Sequence, residues 1–341
     1  MVDSTWTPLK LVLESPGDNP WIIGERIFHI LNTYLQPNNP DNATDGTLSA
    51  ANAAAQEIDK LFPLNRPKEK EDENEEPGSF LWEMWEIVIS IAQQIPWKHP
   101  GQTKLVEFIQ ALKDLAEPKT RTVRIGDYWP GEVTLWSDLP ILGPVMTECG
   151  HGKQIYAILH SDLSLTHDCY YLPAIDLEDT SSAQKAIRIR QRNFVAFSAR
   201  LTQSGLADRA EHFSIHYFRA AFEVEPDKSA KAYHKQGPGM DVYVPLAVMW
   251  LFLCGNVIFA HCRRSTGSSS SNPPGTGRPR YNDAGRNWKG GNGFSIDRWN
   301  FWKKRIGDIK DHDQASEKMK KVAVAGERLM NRIESEAVLT C

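Results

Sequence analysis

Between Val242 and Ala260 the chain runs VYVPLAVMWLFLCGNVIFA without a single charge. A helix apolar on every side is buried either in a protein core or in lipid, and a bilayer takes roughly 20 such residues. Pro245, the Gly255-Asn256 pair and the lack of Lys or Arg anchors just before the run favour the core of a large soluble domain. The rest of the chain must then cover this segment. With 341 residues, 41% of them hydrophobic and 24% charged, it has the length and the globular composition to do so.

Helical periodicity supplies the cover. Leu81, Met84, Trp85, Val88, Ile91, Ala92 and Ile95 recur at three- and four-residue steps until Pro96, and Leu105, Phe108, Ile109, Leu112 and Leu115 repeat the pattern until Pro118. The intervening PWKHPGQ breaks both helices and predicts an antiparallel hairpin. Ile27, Ile30, Leu31 and Tyr34 form an earlier apolar face, and Ala50, Ala51, Ala54, Ile58 and Leu61 another. Further on, Phe213, Tyr217, Ala220 and Ala221 line a helix opened by Asp208 and Glu211, and Met319, Val322, Ala323, Gly326, Leu329, Met330 and Ile333 line the last one. Strand-like alternation is scarce. The pattern predicts one all-α domain over 1–341 with nine or ten helices. Its amino-terminal helices occupy 24–118, its central helices 119–262 and its carboxy-terminal helices 294–334.

Three stretches read as loops. Lys68 to Gly78, KEKEDENEEPG, has no apolar residue to bury. Arg263 to Gly293, rich in Ser, Gly, Pro and Asn, reads as a disordered loop. Gly150 to Arg192 reads as an irregular, peripheral insertion, without helical period before the basic Lys185 to Arg192 run.

Composition excludes more than it assigns. A net charge of -4 argues against a nucleic-acid partner, since phosphate binding needs a basic surface. Five scattered cysteines point to a reducing compartment, and the amino-terminal residues show no secretion signal, so the expected location is cytoplasmic or nuclear with no membrane partner. His212 and His216 stand at zincin spacing but lack the glutamate that should follow the first histidine. Cys149, His151, His160, His167 and Cys169 are too tightly alternated for an ordinary zinc site. No metal and no cofactor are expected. Neither a nucleophile elbow nor a phosphate-binding loop is present in the sequence, which leans against an enzyme.

What remains is a set of polar and aromatic candidates. In GFSIDRWNFWKKRIGDI, Ser295 caps a helix, Phe294 is placed to staple Trp299, and Trp299, Trp302, Ile306 and Ile309 form an inner stripe. Arg298, Lys303, Lys304 and Arg305 are left on the polar side. The segment reads either as a capped amphipathic helix anchored by tryptophan or as a functional surface or pocket, in which Arg298, Trp299 and Trp302 serve an anion-binding helix start or a partner surface. Asn193, Arg200, Arg219 and Glu223 sit in apolar helical stretches where a charge needs a partner, so either arginine paired with Glu223 makes a clamp. With Trp250, the residues Arg200, Arg219 and Glu223 alternatively line a small-molecule pocket.

The segments SFLWEMWEIVISIAQQIPWKHPGQTKLVEFIQALKDL, LWSDLPILGPVM, NFVAFSARL, FRAAFE and GFSIDRWNFWKKR resemble, in that order, a fungal family of uncharacterised proteins, domain of unknown function family 3632. The likeness runs from about Gly24 to Glu334. It implies a cytosolic or nuclear all-helical protein without assigned activity, sometimes encoded near biosynthetic genes, and it supplies no catalytic residues. Where the family passes directly from LPILGPVM to NFVAFSARL, this chain carries GHGKQIYAILHSDLSLTHDCYYLPAIDLED, which reads either as an insertion or as a translated, unspliced intron. Two functions follow as expectations: an interaction or scaffold protein with another protein as partner, or a small-molecule binder or auxiliary enzyme of fungal secondary metabolism.

Overall fold

The computed structural model describes residues 7–14, 21–37, 49–66, 75–115, 121–126, 131–149, 177, 179–206, 211–225, 228–264 and 287–339. Among them are ten α-helices and one two-stranded sheet, the all-α class that the periodicity predicts. The helices are α1 (Ile22–Leu35), α2 (Ala50–Leu61), α3 (Pro77–Gln94), α4 (Gly101–Asp114), α5 (142–149), α6 (Ser182–Gln203), α7 (Glu211–Phe222), α8 (Gly237–Arg264), α9 (Ile296–Asp308) and α10 (Glu317–Leu339). Strand β1 (Thr122–Arg124) pairs antiparallel with β2 (Glu132–Thr134), Val123 opposite Val133. The chain divides into two compact units, one containing α1 to α5, the sheet and residues 189–197 of α6, the other containing the rest of α6 and α7 to α10.

In the first unit α2 packs on α1 and α4, and α3 packs on α1, α4 and β1. The predicted stripes are its core: Leu81, Met84, Trp85 and Val88 of α3 and Leu105, Phe108, Ile109 and Leu112 of α4 are fully buried. Ending α3 at Pro96 leaves carbonyls without helical partners. Gln102 donates its side-chain amide to the carbonyls of Ala92 (2.9 Å) and Ile95 (2.8 Å), while Asn193 of α6 donates to Gln93 O (2.9 Å) and accepts from Trp97 N (3.0 Å). The charge run expected as a loop to Gly78 stops earlier, because Pro77 suits a first helical position and opens α3. Gly78 follows necessarily: a Cβ there would sit 2.2 Å from the carbonyl oxygen of Ile125.

In the second unit α8 packs against α7, α9 and α10. It is the one helix among the described residues long and apolar enough to cross a membrane, and 61% of its most apolar stretch is buried within the protein. Trp250, Leu251 and Ile258 are core residues, although Phe252 is 63% exposed. At Cys254 the backbone leaves helical geometry (φ −147°, ψ 26°) and α8 kinks. Close approach of α8, α9 and α10 depends on glycine. A Cβ on Gly326 of α10 would meet Ile306 Cδ1 at 2.4 Å and Val248 Cγ2 at 2.8 Å.

Two loop expectations change. The irregular insertion assigned to 150–192 ends ten residues early: α6 begins at Ser182, capped by the Ser181 hydroxyl, which accepts from Gln184 N (3.2 Å). Its first turns are largely exposed, so they carry no apolar period and form through the cap and good helix formers instead. Residues 151–176 lie outside the described residues. So do 265–286 of the expected disordered loop, while Arg263 and Arg264 close α8.

Candidate functional site

Helix α9 begins as the sequence predicts, with the Ser295 hydroxyl accepting from Arg298 N (3.1 Å) and Asp297 in the first turn. Phe294 before the cap packs edge-on to Trp302, ring centroids 6.5 Å apart. Trp299 and Trp302 are buried at 0% and 1% exposure, so the expectation that they offer a partner surface is corrected: both indoles belong to the core. Arg298, expected on the polar side, is also at 0%. Its guanidinium forks onto Glu223, Nε to Oε1 at 2.7 Å and Nη2 to Oε2 at 3.2 Å, and donates through Nη1 to Gly293 O (2.9 Å). The Trp302 indole donates to the same Glu223 Oε1 (2.8 Å).

Glu223, expected to pair with Arg200 or Arg219, is thus held by Arg298 from the neighbouring helix. Arg305 turns inward as well, donating to the carbonyl of Phe222 (3.1 Å), where a cation suits the carboxy-terminal end of α7. Only one turn away, Glu334 of α10 accepts from the Trp299 indole (2.8 Å) and pairs with Lys303. Three donors from Arg298 and Trp302 hold the Glu223 carboxylate, and both side chains of the ion pair are closed to water. The centre is a polar clamp joining α7, α9 and the loop before α9.

The other candidates separate from it by role. Burial lowers the Arg200 guanidinium below its ordinary range. Trp250 is fully buried beside Tyr217, ring centroids 6.5 Å apart, and its indole N–H has no acceptor among the described residues. His216, expected on an outer face, is half-buried, and burial together with Arg219 pushes its imidazole down to about 4. The described residues contain no cluster of His, Cys, Asp or Glu able to hold a metal ion. The side chain of His212, and His151, His160, His167 and Cys169, lie outside them.

Sequence reasoning missed a second site, in the first unit. Residues 7–14, TPLKLVLE, cross it as an extended strap. Gln36, just past α1, accepts from Leu9 N (3.2 Å) and donates to Leu9 O (3.1 Å). Gln94 at the end of α3 clasps Val12 the same way, at 2.8 and 2.9 Å. His99 accepts at Nδ1 from Gly101 N (3.0 Å), which leaves Nε2–H to donate to Thr7 O (2.9 Å). Glu14 takes a two-pronged pair from Arg190 of α6 and the Ser90 hydroxyl (2.8 Å), and Arg190 also donates to Gln93 (2.8 Å). Leu9 packs over Gly101, its Cδ1 3.0 Å from where a Cβ would stand. Glutamines at helix ends and an arginine in an exposed turn give no periodic signal. Only the alternation of Leu9, Leu11 and Leu13 hinted at an extended segment.

No curated protein and no solved structure matches the chain. The family described as "Protein of unknown function (DUF3632)" matches residues 85–306, from Trp85 on α3 to Ile306 on α9. With that match over most of its length, the chain belongs to this family.

Proposed function

We propose that the protein is an interaction protein of the cytoplasm or nucleus that holds an extended segment of another polypeptide. The observation that carries this reading is the strap: side-chain amides of Gln36 and Gln94 pair with both the N–H and the C=O of a peptide residue, the means by which extended peptides are recognised through their main chain. The free, buried thiols of Cys149, Cys254 and Cys262 support a reducing compartment. The test is affinity capture with the full chain followed by reconstitution from purified components. A partner that rebinds at fixed stoichiometry is expected. If nothing is enriched over control, the reading fails.

A second reading, a small-molecule binder or auxiliary enzyme of fungal secondary metabolism, is favoured by the orphaned Trp250 indole N–H, a buried donor that an acceptor on a ligand would satisfy. Metabolite profiling of a gene deletion tests it, and an unchanged profile counts against it.

A further inference from the structure

The strap is held differently from every helix around it. None of residues 7–14 is fully buried; Thr7, Pro8, Lys10 and Val12 face solvent, Val12 at 63% exposure. It is held by side-chain hydrogen bonds, one ion pair and the half-buried Leu9, Leu11 and Leu13, and a hydrogen bond exchanged with water contributes only about 1 kcal/mol net. By contrast, the helices beneath it are fixed by fully buried side chains such as Phe80, Trp85 and Phe108. The strap can therefore leave without taking the core apart, and what it leaves behind is a preformed site.

We infer that the groove under the strap is an exchangeable peptide-binding site: residues 7–14 fill it in cis, and a partner protein displaces them with an extended segment carrying a leucine and, five residues on, a carboxylate. This rests on the interaction reading above and names the partner's chemistry. The two glutamine clasps read the main chain at Leu9 and Val12, and of these two positions the solvent-facing Val12 accepts any side chain. Selectivity comes from two side-chain places. One is above Gly101, where the absence of a Cβ leaves room for Leu9. The other is at Arg190, whose guanidinium, oriented by Gln93 and assisted by Ser90, forms a bidentate site for one carboxylate. Because residues 15–20 link the strap directly to its own groove, the strap competes at the millimolar effective concentration typical of a short tether. A partner binds appreciably only when its own segment is better matched or when the strap is weakened.

The experiment uses the full chain and a fluorescein-labelled peptide TPLKLVLE, read by anisotropy. A chain carrying Leu9→Ser and Glu14→Ala, which weaken the strap and leave the groove intact, should bind the peptide at least tenfold more tightly than the wild type. A peptide with lysine at its last position should bind that variant at least tenfold more weakly. Equal affinity of the two chains, or no saturable binding to the variant with unchanged circular dichroism, overturns the proposal.

Should the variant unfold, a protease site is inserted between residues 15 and 20 of the wild-type chain, and the chain is cleaved and checked by circular dichroism. The labelled peptide must then replace the cut strap, and failure to exchange overturns the proposal. A concentration-dependent dimer in sedimentation, lost in the Leu9→Ser/Glu14→Ala chain, would make a second copy the occupant and overturn the partner assignment. A purified partner that binds both chains equally, uncompeted by the peptide, would sink this inference while leaving the interaction reading intact.

Discussion

Glu223 and Arg298 are both closed to water, so neither is stable there alone. Removing one member of a buried pair typically costs about 3–5 kcal/mol, whereas replacing both with apolar residues is often nearly neutral. Glu223→Ala should therefore destabilise the protein severely in urea unfolding, and Glu223→Leu with Arg298→Met should recover most of the loss. Were the double variant as unstable as the single, the pair would be more than a clamp. A second effect at this scale concerns His216. Its native imidazole titrates at about 4, against about 6.5 in the unfolded chain, so the unfolded state takes up the proton first as pH falls. Stability is complete above about pH 6.5 and declines toward pH 4, by on the order of 3 kcal/mol for this one group. His216→Asn should flatten that decline in unfolding curves recorded between pH 7.5 and 5. Burial and Arg305 lower His312 in the same direction, so some acid sensitivity should persist.

At the scale of elements, the helices written plainly in the sequence are those whose buried face recurs every three or four residues, as in α3, which stops just before Pro96, and α4. The N-cap of α9 was equally legible, because Ser295 followed by an acidic first turn has a local cause. The inner placement of Arg298 and Arg305 was not. Both lie on the flank of the tryptophan stripe, and only the arrival of Glu223 and the end of α7 from elsewhere in the chain makes that flank an interior one. The exposed first turns of α6 and the three-residue strands likewise lack a repeating apolar signal. Packing between elements makes its own prediction. Gly326 lies between Ile306 on α9 and Val248 on α8, so Gly326→Ala should lower stability by about 1–3 kcal/mol through overpacking, despite the better helix propensity of alanine. Differential scanning calorimetry checks this, and a raised melting temperature would contradict the close approach.

For the whole molecule, the most useful division is between what is fixed and what is merely attached. The segment from Gly150 to Asp179 reads either as an insertion or as an unspliced intron: transcript reads that run through it without a break would end the intron reading, and a splice from near Met146 to near Arg192 would show that the segment is absent from the mature chain. The strap belongs among the attached parts, and its occupancy has a practical corollary. Ligands raise a melting temperature by filling a site that is empty in the native state, by RT ln(1 + [L]/Kd). A groove already filled from within gains almost nothing when a like peptide takes the strap's place. Added TPLKLVLE should leave the wild-type melting temperature unchanged within about 1 °C, while raising that of the Leu9→Ser/Glu14→Ala chain by several degrees. Thermal-shift screening of the native protein would then be blind to its own recognition site and would report only compounds that land elsewhere.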